Sequence, residues 1–214
     1  MRRPQSRQLS TVHMSLVWVG LLIAVHLTPV SADTVDFEGF PDSTVFTTQY
    51  PGLTFSNTII LTSGISLNEF EFPPHSGENV ASDNGGPIMI DFSTPIISFS
   101  GYFTYLEPLT LDGFDASDVQ VASAISMFSN NLACLAGPPC SGDPGSSPNE
   151  FIQVMSAAGI SSVMITGDPL GGSFTMDDMT YSSSNSQVPE PDCLSLLLIG
   201  TVGLFAACLR RKQG

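Results

Sequence analysis

Between residues 33 and 181 the apolar positions come in short bursts rather than long periods. Clusters of Val, Ile, Leu, Phe, Thr and Tyr alternate with Gly, Pro, Asn, Asp and Ser, the pattern of strands and turns. Strands are expected at Thr34–Glu38, Leu53–Asn57, Ile59–Thr62, Ile88–Phe92, Ile96–Tyr105, Leu109–Phe114, Val119–Met127, Phe151–Met155, Val163–Thr166 and Phe174–Tyr181. Residues Ser98 to Tyr105 alternate in part between polar and apolar, and no segment keeps a 3.6-residue apolar period. Such strands bury their apolar sides by packing as two antiparallel layers. The expected fold is therefore all-β, an antiparallel β-sandwich of jelly-roll type. Roughly 150 residues are enough for one core, and Ser182 to Gln187 reads as a polar linker after it.

Two apolar segments outside this body break the pattern. Arg2, Arg3 and Arg7 precede the apolar run Met14 to Leu27, which is followed by Val30-Ser31-Ala32. This is the layout of a secretory signal peptide over residues 1–32, cleaved after Ala32; an uncleaved signal anchor is the alternative. Pro4-Gln5-Ser6 after the Arg pair favours the general export route over a twin-arginine one. At the other end, Val188-Pro189-Glu190-Pro191 leads into an apolar run from Cys193 to Leu209 and then Arg210-Arg211-Lys212. The run is at the short end of membrane-spanning helix lengths, and the basic residues are expected to stay cytoplasmic.

Charge changes the picture more than composition does. The chain has a formal net charge of −14, from 20 Asp and Glu against 6 Lys and Arg. Every Lys and Arg lies in the two terminal signals, every acid lies between Asp33 and Asp192, and the only histidine of the body is His75. Without Lys or Arg the body cannot neutralise a phosphate backbone, which excludes nucleic-acid binding. It also lacks a Walker lysine, an Arg clamp and a Schiff-base lysine. Most of the acids are expected to be solvated surface groups. Divalent cations could relieve the repulsion among the rest, and calcium is the natural one outside cells.

The tail resembles the PEP-CTERM sorting signal of Gram-negative bacteria on three parts in order: Val188-Pro189-Glu190-Pro191, one helix, and Arg210-Arg211-Lys212. A plain single-pass anchor is the simpler alternative. The resemblance implies handling by an exosortase, removal of the tail near the Pro-Glu-Pro motif, and a host that makes extracellular polysaccharide. It implies transient anchoring in the inner membrane, then release to the cell surface or matrix. The chain departs from the family pattern at Asp192-Cys193, where small residues are more usual. Asp36-Phe37-Glu38 at the start of the body and Phe174-Thr175-Met176-Asp177-Asp178-Met179-Thr180-Tyr181 at its end resemble the jelly-roll domains of such proteins. Those domains are similar in outline to calcium-dependent carbohydrate-binding modules.

Candidate chemistry is sparse. If the first and last strands are neighbours, as in jelly rolls, Asp36 and Glu38 share a face and converge with Asp177 and Asp178 as a calcium site; exposed charge is the alternative. Asp83-Asn84-Gly85-Gly86 reads as a turn. Cys134 and Cys140 flank a Gly/Pro-rich loop and are expected to form a local disulfide in an oxidising compartment. Tyr50, Tyr102, Tyr105 and Phe72 could stack on sugars, while most Phe residues belong to the core; the sole Trp, Trp18, lies in the signal peptide. There is no Gly-x-Ser-x-Gly elbow, and a triad would have to use His75. The expected function is non-catalytic interaction with extracellular polysaccharide, with calcium assistance. The rivals are a purely structural envelope protein and a hydrolase that uses paired carboxylates.

Overall fold

The computed structural model describes residues 32–133 and 141–183. The signal peptide, the Cys134–Cys140 loop and the sorting motif with Val188, Pro189, Glu190, Pro191, Arg210, Arg211 and Lys212 lie outside the described residues. Among those described there is no helix, and the elements are β1 (Ala32–Val35), β2 (Val45–Phe46), β3 (Leu53–Ser56), β4 (Thr58–Thr62), β5 (Asn79–Asp83), β6 (Ile88–Tyr105), β7 (Thr110–Phe114), β8 (Gln120–Ile125), β9 (Glu150–Thr166) and β10 (Phe174–Ser183). All pairings between strands are antiparallel, in the order β2-β4-β5-β10-β6-β9-β7-β8, with β1 on β10 and β3 on β6.

Two long strands turn this order into two layers. The first half of β6 pairs with β3 through residues 89–92, and its second half pairs with β10. β9 follows it: Glu150 to Met155 lie beside the second half of β6, and Ser162 to Ile165 beside the first. The register shifts between Asp91 and Ser98 mark the bend. The sheet folds over there, so that inward residues of both halves make one cluster. Phe55 of β3 meets Phe37 and Phe46 of the opposite layer edge-to-face, at 6.4 and 4.9 Å between ring centroids. Phe99, Phe103 and Tyr105 alternate into this core from β6, and Ile152 and Val154 from β9.

Several expected elements shift. Ile88–Phe92 and Ile96–Tyr105 are one strand, as are Phe151–Met155 and Val163–Thr166, because the chain bends through Pro95 and Gly159 without leaving the sheet. β5, with the sequence Asn-Val-Ala-Ser-Asp, is buried along its whole length and has no apolar signature. β10 continues to Ser183, so Ser182 is a buried strand residue rather than linker. β1 stops at Val35, because Phe37 takes a left-handed φ of 60° to drop its ring into the core. Asp36 and Glu38 therefore do not share a strand face. The first and last strands are neighbours, with Val35 opposite Met179 and Ala32 opposite Ser182.

Buried polar groups pin the ends. The Asp83 carboxylate accepts from the Ser173 and Phe174 N–H groups and from Ser173 Oγ, all at 2.9 to 3.1 Å. Burial nonetheless raises its pKa above the usual carboxylate value. Beside it, Gly171 (φ +83°) lies so close to Gly85 that a Cβ would come within 2.5 Å of the Gly85 backbone nitrogen. Gly171→Ala is expected to cost about 2 kcal/mol in chemical denaturation, from left-handed strain and this backbone clash.

Candidate functional site

The site lies on the outer side of the β5-β10-β6-β9 layer. Pairing sets Asp177 of β10, Tyr102 of β6 and Phe151 of β9 in one cross-strand row. The row points away from the core, since its strand neighbours Met176, Phe103 and Ile152 point inward. Three strands at sheet spacing give it a width of roughly 10 Å. Phe151 is 53 % exposed and Met155, four positions on and on the same face, 64 %.

The segment between β4 and β5, residues 63–78, lies over part of this face. Phe72 and Leu67 line one hollow together with Ser82 and Thr175. The Pro73 carbonyl accepts from Asn149 Nδ2 at 3.1 Å, and Asn149 N–H donates to Thr104 Oγ1 at 3.0 Å. The cover explains why Ser82, Thr104, Thr175 and Asp177 are buried on an outward face. At its far end the segment lays the His75 imidazole flat on Tyr102, with centroids 3.5 Å apart and planes 8° apart. Phe151 tilts against the same tyrosine at 5.4 Å and 59°. His75, Tyr102 and Phe151 thus form one continuous aromatic surface, with His75 uppermost.

Acids hold this segment in place. A β-bulge in β10, with Asp178 at a φ of 44°, breaks the alternation that would send two consecutive carboxylates to opposite faces. Asp177 Oδ2 accepts from the backbone N–H of His75 at 2.8 Å and of Ser76 at 2.9 Å, and Oδ1 from Asp178 N–H at 2.7 Å. Asp178 accepts from Ser76 Oγ at 2.9 Å and from the His75 imidazole Nδ1 at 2.6 Å. Glu38 Oε1 accepts from the N–H groups of Glu78 and Asn79, both at 2.8 Å. Asp36 Oδ1 accepts from Glu38 N–H at 3.2 Å. Asp177 is 1 % exposed, and burial is the main cause of a pKa raised to about 6; the neighbouring charge of Asp178 adds to it, while the N–H donors of Ser76, Asp178 and His75 oppose it.

The sequence places Asp36, Glu38, Asp177 and Asp178 in one region, and the structure puts three of them on the same short segment, residues 75–79. They act there as acceptors for that segment's N–H, hydroxyl and imidazole groups, not as ligands round a common point. In this arrangement the four acids do not fit a calcium cage; a calcium ion would have to displace the donors of residues 75–79 first. The His75 ring meets an acid and a tyrosine rather than a serine hydroxyl, and its Ser76 neighbour spends its hydroxyl on Asp178.

The aromatic candidates divide. Tyr105 is fully buried, with its hydroxyl donating to Glu150, and burial with that carboxylate pushes its pKa up. Tyr50 is half-buried edge-on to Phe40, and burial and the Asp36 charge raise its pKa. It lines an open cleft of about 400 Å³ with Asp91 and Phe92 at the other layer. Phe72 lines a smaller hollow of about 200 Å³. Only Tyr102 joins an exposed aromatic surface. Phe151 and His75, which complete it, are not among the residues the sequence offers for sugar stacking. The alternation Phe151, Gln153, Met155 is the available signal for Phe151; nothing local signals the His75 stack.

No family model and no curated protein matches the chain. Solved structures similar to it include a cleaved adhesin domain of Lys-gingipain, at 15 % identity over 71 % of this chain and 99 % of that one, with a TM-score of 0.44. A second cleaved adhesin domain of Lys-gingipain, from Porphyromonas gingivalis, has 9 % identity over 72 % and 99 % of the two chains and a TM-score of 0.42. A DUF4465 family protein from Bacteroides caccae has 10 % identity over 71 % and 98 %, with a TM-score of 0.41.

Proposed function

We propose that this chain is an exported surface or matrix protein, sorted by an exosortase-type system, whose β-sandwich binds extracellular polysaccharide without turning it over. The observation that carries the reading is the aromatic surface of His75, Tyr102 and Phe151. It joins rings from β6 and β9 to the His75 imidazole, and the half-exposed Phe151 and Met155 leave apolar area uncovered beside it for a sugar ring to stack on. The Tyr50 cleft is the weaker site, because that ring packs edge-on into the core cluster.

A hydrolytic role is disfavoured by the same geometry. Asp177 has the burial and raised pKa of a general acid, but its oxygens are occupied by three backbone N–H donors and it is closed off from solvent. The purely structural rival has one observation behind it. Val119, Ile125 and Met127 are exposed at and beside β8, which ends the sheet order and carries no charge from Gln120 to Ile125. Self-association through that edge would appear as concentration-dependent sedimentation.

Phe151→Ala tests the main reading. The full chain is expected to be retained on a polysaccharide matrix, and the variant to lose about 1–2 kcal/mol of binding, roughly 5- to 30-fold. Its unfolding midpoint should hardly move, since the ring is half exposed. Retention unchanged by the substitution would remove the aromatic surface from the reading.

A further inference from the structure

The charge around the aromatic surface narrows the ligand. Of the 20 acids in the chain, all but Glu190 and Asp192 fall in the described residues, and His75 is the one basic side chain among them. That imidazole is itself engaged by Asp178. At the His75 end of the surface Asp178 bonds the imidazole, and Glu38 accepts from the backbone N–H groups of Glu78 and Asn79, three and four residues on. Glu78 is exposed. Glu150 lies next to Phe151 at the other end, tied to Tyr105 and to Met127 N–H.

A polymer of uronic acids or sulfated sugars brought to this surface would meet like charge with no counter-charge from the protein. A neutral polymer would gain only stacking. A polymer with protonated amino groups gains more. Its sugar faces stack on Phe151, its ammonium groups interact with the faces of aromatic rings, and the surrounding carboxylates both steer and pair with it. We infer that the ligand of this surface is a polysaccharide carrying free amino groups, held by the His75–Tyr102–Phe151 surface and the carboxylates at its His75 end. This rests on the polysaccharide-binding reading above and specifies its ligand class.

The experiment measures binding of the full chain to glucosamine oligomers, to the same oligomers fully N-acetylated, and to uronic acid oligomers of equal length. The amino form is expected to bind about tenfold tighter than the acetylated one at low salt, with the advantage shrinking at about 0.15 M salt as screening sets in. Phe151→Ala should weaken both of those ligands. Glu78→Gln, at an exposed side chain that takes no part in holding residues 75–79, should reduce the preference for the amino form and leave acetylated binding in place. Asp91→Asn, an equal charge change in the other layer, should leave the preference intact. Equal affinity for amino and acetylated forms would overturn the ligand class while the polysaccharide reading stands. Tighter binding of uronates would do the same. An Asp91→Asn effect as large as that of Glu78→Gln would show diffuse attraction to a polyanion and overturn the site. Binding of none of the three would sink both readings.

Discussion

Asp177→Ala is expected to lower unfolding stability by about 4 kcal/mol at pH 4.5 and about 2 kcal/mol at pH 7.5. The substitution leaves the N–H groups of His75, Ser76 and Asp178 without their acceptor, and the cover over β10 and β6 loses its anchor. The pH dependence comes from burial. The folded-state pKa is raised to about 6 from an unperturbed 3.8, so the protonated form is favoured by folding. A raised pKa contributes stability that is fully present below 3.8 and lost as pH rises through about 6. At pH 4.5 most of that contribution, about 2 kcal/mol, is still in place, and the variant lacks it. Thermal unfolding of both proteins at the two pH values reads the difference directly, with the midpoint at the lower pH falling by roughly 10 °C. Asp177→Asn should flatten the same window in part. Asp83, also raised by burial, contributes with the same sign. A wild-type protein more stable at pH 7.5 than at pH 4.5 would contradict this account of both carboxylates.

Asn131→Ala should cost about as much, roughly 4 kcal/mol in urea denaturation, with little dependence on pH. Asn131 is fully buried. Its Oδ1 accepts from Tyr105 N–H at 2.7 Å, and its Nδ2 donates to the Phe103 carbonyl at 2.8 Å and the Ser147 carbonyl at 3.2 Å. It closes the end of β6 and ties the segment after β8 to the segment before β9. Removal strands a buried donor and two carbonyls. Asn131→Asp is the sharper control: it keeps the acceptor but aims a carboxylate oxygen at two carbonyls, so it should destabilise more than alanine does. An Asp variant as stable as the parent would mean that water, not Asn131, satisfies those carbonyls.

These two residues belong to a wider pattern. In the absence of Lys and Arg, amide side chains and carboxylates make the long-range polar links. Asn79 Nδ2 donates to the carbonyls of Phe37 and Phe40, as Asn131 does at the other end. Acids meet backbone N–H groups where another protein would use a salt bridge. This also explains the fate of the expected calcium ligands. That Glu38, Asp177 and Asp178 come to one region was legible because the first and last strands of such a sandwich neighbour each other. What they converge on was not legible, because the donors lie in residues 75–79, about a hundred positions from Asp177 and outside any strand signal.

The same contrast runs through the fold. Leu53–Asn57 and Ile59–Thr62 match their strands closely, because burial on one face leaves a period of two in the sequence. β5 is not legible in the sequence because its Asn, Ser and Asp are buried through hydrogen bonds to other strands and loops, which leave no apolar trace. The joining of two expected strands into β6 escaped notice because Pro95 reads as a break, whereas in the structure it sits at the bend between layers.

By itself, the sequence determined the class of architecture and the charge: short alternating strands can bury their apolar sides only in stacked antiparallel layers, and a body without Lys or Arg is acidic whatever its fold. The tertiary structure alone decided where the acids spend their oxygens and which aromatics stay exposed. Those outcomes depend on the bulge at Asp178, the left-handed turn at Phe37 and the lie of residues 63–78, all set by contacts between residues far apart in the chain.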